Sequence, residues 1–138
     1  MGAPATGIQD FGKLLLRLTI GGNLVLHGIH KVRSGIDFIH QAVGARGLPD
    51  LLSYGVFVGE VVGPLLILVG LFSRLGGLFV AINMVFAVYL AKTAALGELT
   101  AQGAWGVELD SLYFLGGIAI LCLGSGRFAI SRGNGPLD

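Results

Sequence analysis

Charged residues are scarce in this sequence. Asp, Glu, Lys and Arg make up 12% of its 138 residues, against about 25% in a soluble domain. With 54% hydrophobic residues and a mean hydropathy of +0.82, that scarcity excludes an ordinary soluble domain and points to an integral membrane protein. A net charge of +1 with no basic run gives no footing for a nucleic-acid partner. Cysteine is limited to Cys122, set inside an apolar run. That excludes an internal disulfide and a CxxC redox pair, and Cys122 reads as inert packing. All three histidines fall between His27 and His40, so no second span offers an axial ligand and neither haem nor an iron–sulfur cluster is expected. A basic n-region is also missing from MGAPATGIQD, so the first hydrophobic helix is expected to stay as a span and not to be cleaved as a signal peptide. Gly2 opens an MGxxxT match to the myristoylation pattern, which Pro4 and a multi-pass chain make a coincidence.

What the chain has instead is long apolar runs and 24 glycines, residues that let membrane helices approach closely. A span needs about 20 largely apolar residues. Four segments qualify, at approximately 11–30, 51–72, 75–95 and 106–124. They are continuous rather than alternating, which excludes a β-barrel. The expected fold is all-α, a single domain over 1–138: an integral membrane four-helix bundle. A short amphipathic helix joins spans one and two, because Ile36, Ile39 and Val43 recur at helical spacing opposite Asp37, His40 and Gln41. Basic residues near the span ends divide evenly. Lys13, Arg74, Arg127 and Arg132 lie on the side of the termini, and Lys31, Arg33, Arg46 and Lys92 on the other, so charge alone does not orient the chain.

The first span needs explaining. Its run KLLLRLTIGGNLVLHGIHK carries Arg17, Asn23, His27 and His30. An arginine or lysine at the centre of a spanning helix costs roughly 2.5–3.5 kcal/mol. Such residues therefore face a protein interior or a watery cavity with partners in it. Depth along antiparallel spans supplies partners: Glu60 near the middle of span two, and Glu108 and Asp110 at the start of span four, on the same side as His27 and His30. Arg17 is expected to reach Glu60 as a buried ion pair that fixes helix register. Asn23, His27 and His30, at i, i+4 and i+7, form a stripe expected to point inward. The candidate ligand-binding set is therefore Arg17, Asn23, His27, His30, Glu60, Asn83, Glu108 and Asp110, with His27 and Glu60 best placed for catalysis.

Each of these has a plainer reading. The histidines can be interfacial hydrogen-bond formers, and Asn83 an interhelical one. Glu108 and Asp110 can simply face the positive end of a helix dipole. The pairs Gly21-Gly22, Gly76-Gly77 and Gly116-Gly117 read as close packing, and Trp105, Tyr54 and Tyr89 as interfacial anchors. A metal centre would need further ligands beside His27 from Glu60, Glu108 or Asp110, and no local spacing in the sequence supplies them.

The succession LLRLTIGGNLVLHGIHKV, GLP, GEVVGPLLILVGLFSRLGGL and GVEL…LGSGRFAIS resembles the DoxX family of small bacterial membrane proteins. The resemblance runs from Leu14 to about Ser131. It rests on Arg17, His27-Gly28, Lys31, the GLP before span two, Glu60 with Gly63, Arg74, Glu108, and Gly124, Gly126, Arg127 and Phe128. It implies a four-helix protein of the bacterial inner membrane with both termini cytoplasmic, tied to sulfur or redox metabolism. It also implies an accessory role beside a quinone-linked oxidoreductase, or in a complex with a sulfurtransferase and a superoxide dismutase. Pro64, where the family has a second glycine, and Ser131, where it commonly has aspartate, depart from the pattern.

Three functions follow as expectations. The first is an oxidoreductase subunit that binds quinone or another small molecule within the bundle. With one cysteine and no cofactor motif, its electrons would come from a partner. The second is a non-catalytic membrane anchor for soluble redox or sulfurtransferase proteins. The third is an ion or solute transporter, which four short spans would build only as a homo-oligomer.

Overall fold

A computed structural model describes residues 6–138. Gly2, with the rest of the MGxxxT motif before Thr6, lies outside the described residues. The described residues fold into five helices, with no strand among them beyond a single bridge between Leu99 and Trp105.

Helix α1 (Gly7–Ser34) begins with a reciprocal cap: Thr6 Oγ1 accepts from the Gln9 amide, and Gln9 Oε1 accepts from the Thr6 amide. Together these satisfy two of the four free donors at a helix start. It stops at Gly35, whose φ of 83° suits glycine. Helix α2 (Asp37–Ala45) is the expected amphipathic one, with Ile36 and Val43 buried against the rest of the fold.

Helix α3 (Asp50–Val69) is continuous but irregular. It opens with 3₁₀ geometry at Asp50–Tyr54, passes through one α turn, widens to a π turn at Val58–Val62, and returns to α at Gly63–Val69. Pro64 accounts for the π turn. It has no N–H for the Glu60 carbonyl four residues back, and its ring would press on that carbonyl. The helix absorbs this by taking in one extra residue, so that the Gly63 amide donates to the Val58 carbonyl, five residues back. Gly28 of α1 then packs against the exposed Glu60 carbonyl, where a Cβ would overlap it. Pro64 therefore shapes the backbone at Glu60.

Gly70, left-handed at φ 70°, ends α3 earlier than the expected residue 72, and helix α4 (Ser73–Ala91) starts after Phe72. A 3₁₀ turn at Ala94–Gly97 follows, then helix α5 (Glu108–Leu123). The tail folds back over one end of the molecule. There Ile130 and Ser131 donate to the carbonyls of Val69 and Gly70, and Asp138 Oδ1 accepts from the Ser73 amide at 2.9 Å.

The four long helices touch in sequence around a ring: α1 on α3, α3 on α4, α4 on α5, and α5 on α1. Ile20, Leu24, Ile67, Val80, Met84, Tyr113 and Ile120 form the core between them. Glycine lets the backbones meet. A Cβ on Gly117 would lie 2.7 Å from the Gly77 carbonyl, and one on Gly76 would lie 2.7 Å from the Gly63 carbonyl. Gly21 and Gly116 also sit in close contacts, whereas Gly22 faces open space. Of the four expected spans, the helices Asp50–Val69 and Ser73–Ala91 are long and apolar enough to cross a bilayer. Helix α5 has 16 residues, about 24 Å at 1.5 Å each. Helix α1 has the length, but its apolar run is diluted by Arg17, Asn23, His27, His30 and Lys31.

Candidate functional site

The antiparallel pair α3 and α4 is joined tightly at one end and splayed at the other. Helix α4 packs along Val58–Val69 and makes little contact with Asp50–Phe57. Helix α2 lies across the gap, touching both the start of α3 and α4. Two ties hold it there. His40 Nδ1 lies 2.5 Å from Asp50 Oδ1, and Arg46 donates to Thr93 Oγ1 at 3.1 Å while stacking over the Tyr89 ring at 4.7 Å. Beneath it is a cavity of about 490 Å³, within the roughly 300–1,000 Å³ of small-molecule sites. Its walls are mainly apolar, from Phe38, Ile39, Leu52, Val56, Phe79, Ile82 and Phe86 among others.

The polar groups in those walls form two clusters. At the deeper one Glu60, 4% exposed, receives Lys31 Nζ at 2.6 Å and Asn83 Nδ2 at 3.2 Å, both on Oε1. Lys31 extends its stem from the last turn of α1 to reach it. The other carboxylate oxygen, Oε2, is buried and has no hydrogen-bond partner among the described residues. Leaving a buried acceptor unsatisfied costs about 1–3 kcal/mol, more for a charged group. At the shallower cluster Lys92, one residue past the end of α4, donates to both oxygens of Asp110 at 2.7 and 3.0 Å. Asp110 stands in the first turn of α5, where the helix dipole favours it. Asn83 and Lys92 are nine residues apart on one helix, about 14 Å at 1.5 Å per residue. Between the two levels His27 meets the Tyr113 ring edge-on, with centroids 6.1 Å apart.

Of the sequence candidates, His27, Glu60, Asn83 and Asp110 come together in this cavity. Arg17 does not join them, and its expected partner is corrected. It is buried at the opposite end, where Nε donates to the Ile67 carbonyl at 2.8 Å and Nη2 to Leu68 at 2.8 Å. Its Nη1 donates to Ser125 at 3.1 Å and Phe128 at 2.8 Å. The last carbonyls of α3 have no helical donor, and a guanidinium with five donors can satisfy several of them at once. Asn23 is exposed and donates to Thr19 of its own helix. His30 and Glu108 are exposed and stand outside this cavity. The stripe of α1 that faces the cavity is Leu24, His27 and Lys31, one residue out of phase with the expected Asn23, His27 and His30. Cys122 is exposed and not packed inside. Among the described residues no three His, Cys, Asp or Glu side chains gather as metal ligands.

Lys31, Lys92 and Tyr113 are the site residues not put forward from the sequence. Lys31 follows His27 at i+4 and Tyr113 follows Asp110 at i+3, spacings that share a helix face. That is the signal by which they were recognisable.

Comparison with known proteins gives the relatives. No solved structure matches. The Bacillus subtilis protein named "Putative oxidoreductase CatD" is 30% identical over 121 residues, 88% of this chain and 85% of its own. An uncharacterized Haemophilus influenzae protein is 32% identical over 85% of this chain and 86% of its own. A Mycobacterium tuberculosis protein named as an uncharacterized membrane protein is 31% identical over 71% of this chain and 74% of its own. The family model described as DoxX matches residues 12–93, the stretch from α1 to just past α4 that supplies Lys31, Glu60, Asn83 and Lys92. This chain belongs to the DoxX family.

Proposed function

We propose that this protein is a multi-pass subunit of the bacterial inner membrane, its four long helices forming a bundle, and that it binds the ring of a quinone in the cavity beside Glu60. The observation that carries this reading is Glu60, a carboxylate lining the cavity whose Oε2 has no hydrogen-bond partner among the described residues. A quinone carbonyl needs a donor, and Lys31 Nζ stands at the same carboxylate. A quinol hydroxyl needs an acceptor, and a turn of the Glu60 side chain would bring Oε2, buried and unpartnered as it stands, to meet it. The remaining walls are apolar and suit the ring. Both redox forms of one molecule therefore find partners in the same place, which is what a site exchanging protons with a quinone requires. The electrons come from a partner redox protein, in keeping with the oxidoreductase name carried by one relative.

Binding of a soluble benzoquinone and its quinol to the purified protein tests this. Glu60→Gln keeps the shape and converts an acceptor oxygen into a donor. The loss of a charge-assisted hydrogen bond, about 1.5–3 kcal/mol, corresponds to at least a tenfold weakening for the quinol and less for the quinone. A wild-type protein that binds neither form up to the solubility limit refutes the reading.

A further inference from the structure

The cavity has a side opening. Val58 of α3 and Ile82 of α4 line it, and they are 41% and 56% exposed in all, more than residues walled in on every side would be. Leu52 and Phe38 share this property at 42% and 67%. A residue that faces both a cavity and the exterior stands on the rim between them. These four are all apolar, and they come from the two helices that meet the requirements for crossing a bilayer and from α2 above them. With these helices in the bilayer, as proposed above, the rim opens toward hydrocarbon. Its cause lies in the sequence: Gly63 with Gly76 and Gly59 with Asn83 bring α3 and α4 together deeper in the fold. Above that level Gly55 offers no side chain to close the gap, and a Cβ there would have nothing within 4 Å.

Resting on the quinone reading above, we infer that the ligand is lipid-dissolved and long-tailed. Its ring lies at Glu60, and its apolar chain leaves the protein between α3 and α4, beneath α2. The shallow cluster of Lys92 and Asp110 is a poor exit for such a chain, since it would bring a charged pair against hydrocarbon. A hydrophilic quinone or a small sulfur species would have no use for the apolar rim. The side opening is thus a selector for ligands partitioned in the bilayer.

The test places the full-length protein in nanodiscs of fixed lipid content and titrates two probes. One is a benzoquinone with a decyl chain, the other the same ring bearing a methyl group in its place. Gly55→Trp and Ile82→Trp fill the rim from opposite sides without touching Glu60, and comparison at fixed lipid content cancels partitioning of the probe. In both variants the decyl probe is expected to bind at least tenfold more weakly than to wild type. The methyl probe, which shares only the cavity with the new indole, is expected to lose at least tenfold less affinity than the decyl probe does. Equal changes for the two probes, or none for either, overturn the side opening while leaving the quinone site standing. Failure of both probes to bind wild type overturns the quinone reading itself, and this inference with it.

Discussion

Replacing Arg17 tests which end of the molecule its charge serves. Arg17→Met keeps a long unbranched side chain and removes five donors at a position 2% exposed. Four carbonyls lose their partner: Ile67 and Leu68 at the end of α3, and Ser125 and Phe128 in the tail that covers it. Each bond to a charged donor contributes about 1.5–3 kcal/mol net. The four do not add, because the variant also sheds the cost of burying the guanidinium. Leaving a buried acceptor unsatisfied costs about 1–3 kcal/mol, and with part of the four carbonyls rehydrating as the tail relaxes, about 3–5 kcal/mol in all is the expected loss. Arg17→Lys retains the charge but not the planar fork that reaches four acceptors at once, so it is expected to recover less than half of the loss. The assay is reversible unfolding in mixed micelles at rising denaturing-detergent fraction, followed by far-ultraviolet circular dichroism. A double-mutant cycle with Glu60→Gln isolates any pairing between the two residues. With Glu60 bonded to Lys31 and Asn83, the two substitutions are expected to add within about 0.5 kcal/mol. A coupling above about 1 kcal/mol, or a loss from Arg17→Met below that size, would refute the placement of Arg17 as the clamp on α3.

Two further substitutions test the packing and the backbone at Glu60. Gly117→Ala puts a Cβ 2.7 Å from the Gly77 carbonyl and is expected to destabilise by about 1–3 kcal/mol in the same unfolding assay. Gly22→Ala, with nothing within 4 Å, is expected to stabilise by about 0.5–1 kcal/mol; reversal of this order would undo the packing argument. Pro64→Ala restores an N–H for the Glu60 carbonyl, so the π turn at Val58–Val62 is expected to relax toward α. A one-residue change in register turns Glu60 by about 100° relative to the rest of α3. Quinol binding should then weaken while the residue-64 amide becomes protected from hydrogen exchange. Unchanged binding together with a protected amide would separate the π turn from the site.

The elements were legible where periodicity or a stop signal was strong. The amphipathic pattern of Ile36, Ile39 and Val43 emerged as α2, and the lengths of the apolar runs placed α3 and α4 to within a few residues of where they lie. The ends were set by backbone chemistry that hydropathy does not measure. Gly70 in a left-handed conformation stopped α3 inside a run that stays apolar through Phe72. Half of the polar candidate set lines the cavity, and Asn23 and His30 lie outside it for one reason. Stripes Asn23-His27-His30 and Leu24-His27-Lys31 both contain His27 and differ by a rotation of about 100° for one residue. Polarity favoured the first. The structure takes the second, because Gly28 has to meet the Glu60 carbonyl that Pro64 releases. That contact joins residues 32 positions apart, and no local pattern carries it.

Arg17 was drawn toward Glu60 by the idea that a buried cation seeks a carboxylate. The stronger demand was the set of free carbonyls where α3 ends, which the glycine stop at Gly70 already marks in the sequence. Arg74 repeats the arrangement, donating to the carbonyls of Leu121 and Cys122 at the end of α5 at 2.6 and 2.8 Å. With Arg17 and Arg74 committed to helix ends, it is lysines that meet the buried carboxylates: Lys31 with Glu60 and Lys92 with Asp110. An arginine bridging several carbonyls fixes helix ends and is hard to displace. A lysine on one carboxylate oxygen holds a single contact on a flexible stem, leaving room for a third party at Glu60. The division of labour between the two basic residue types thus locates the rigid end of the protein and the end able to exchange a ligand.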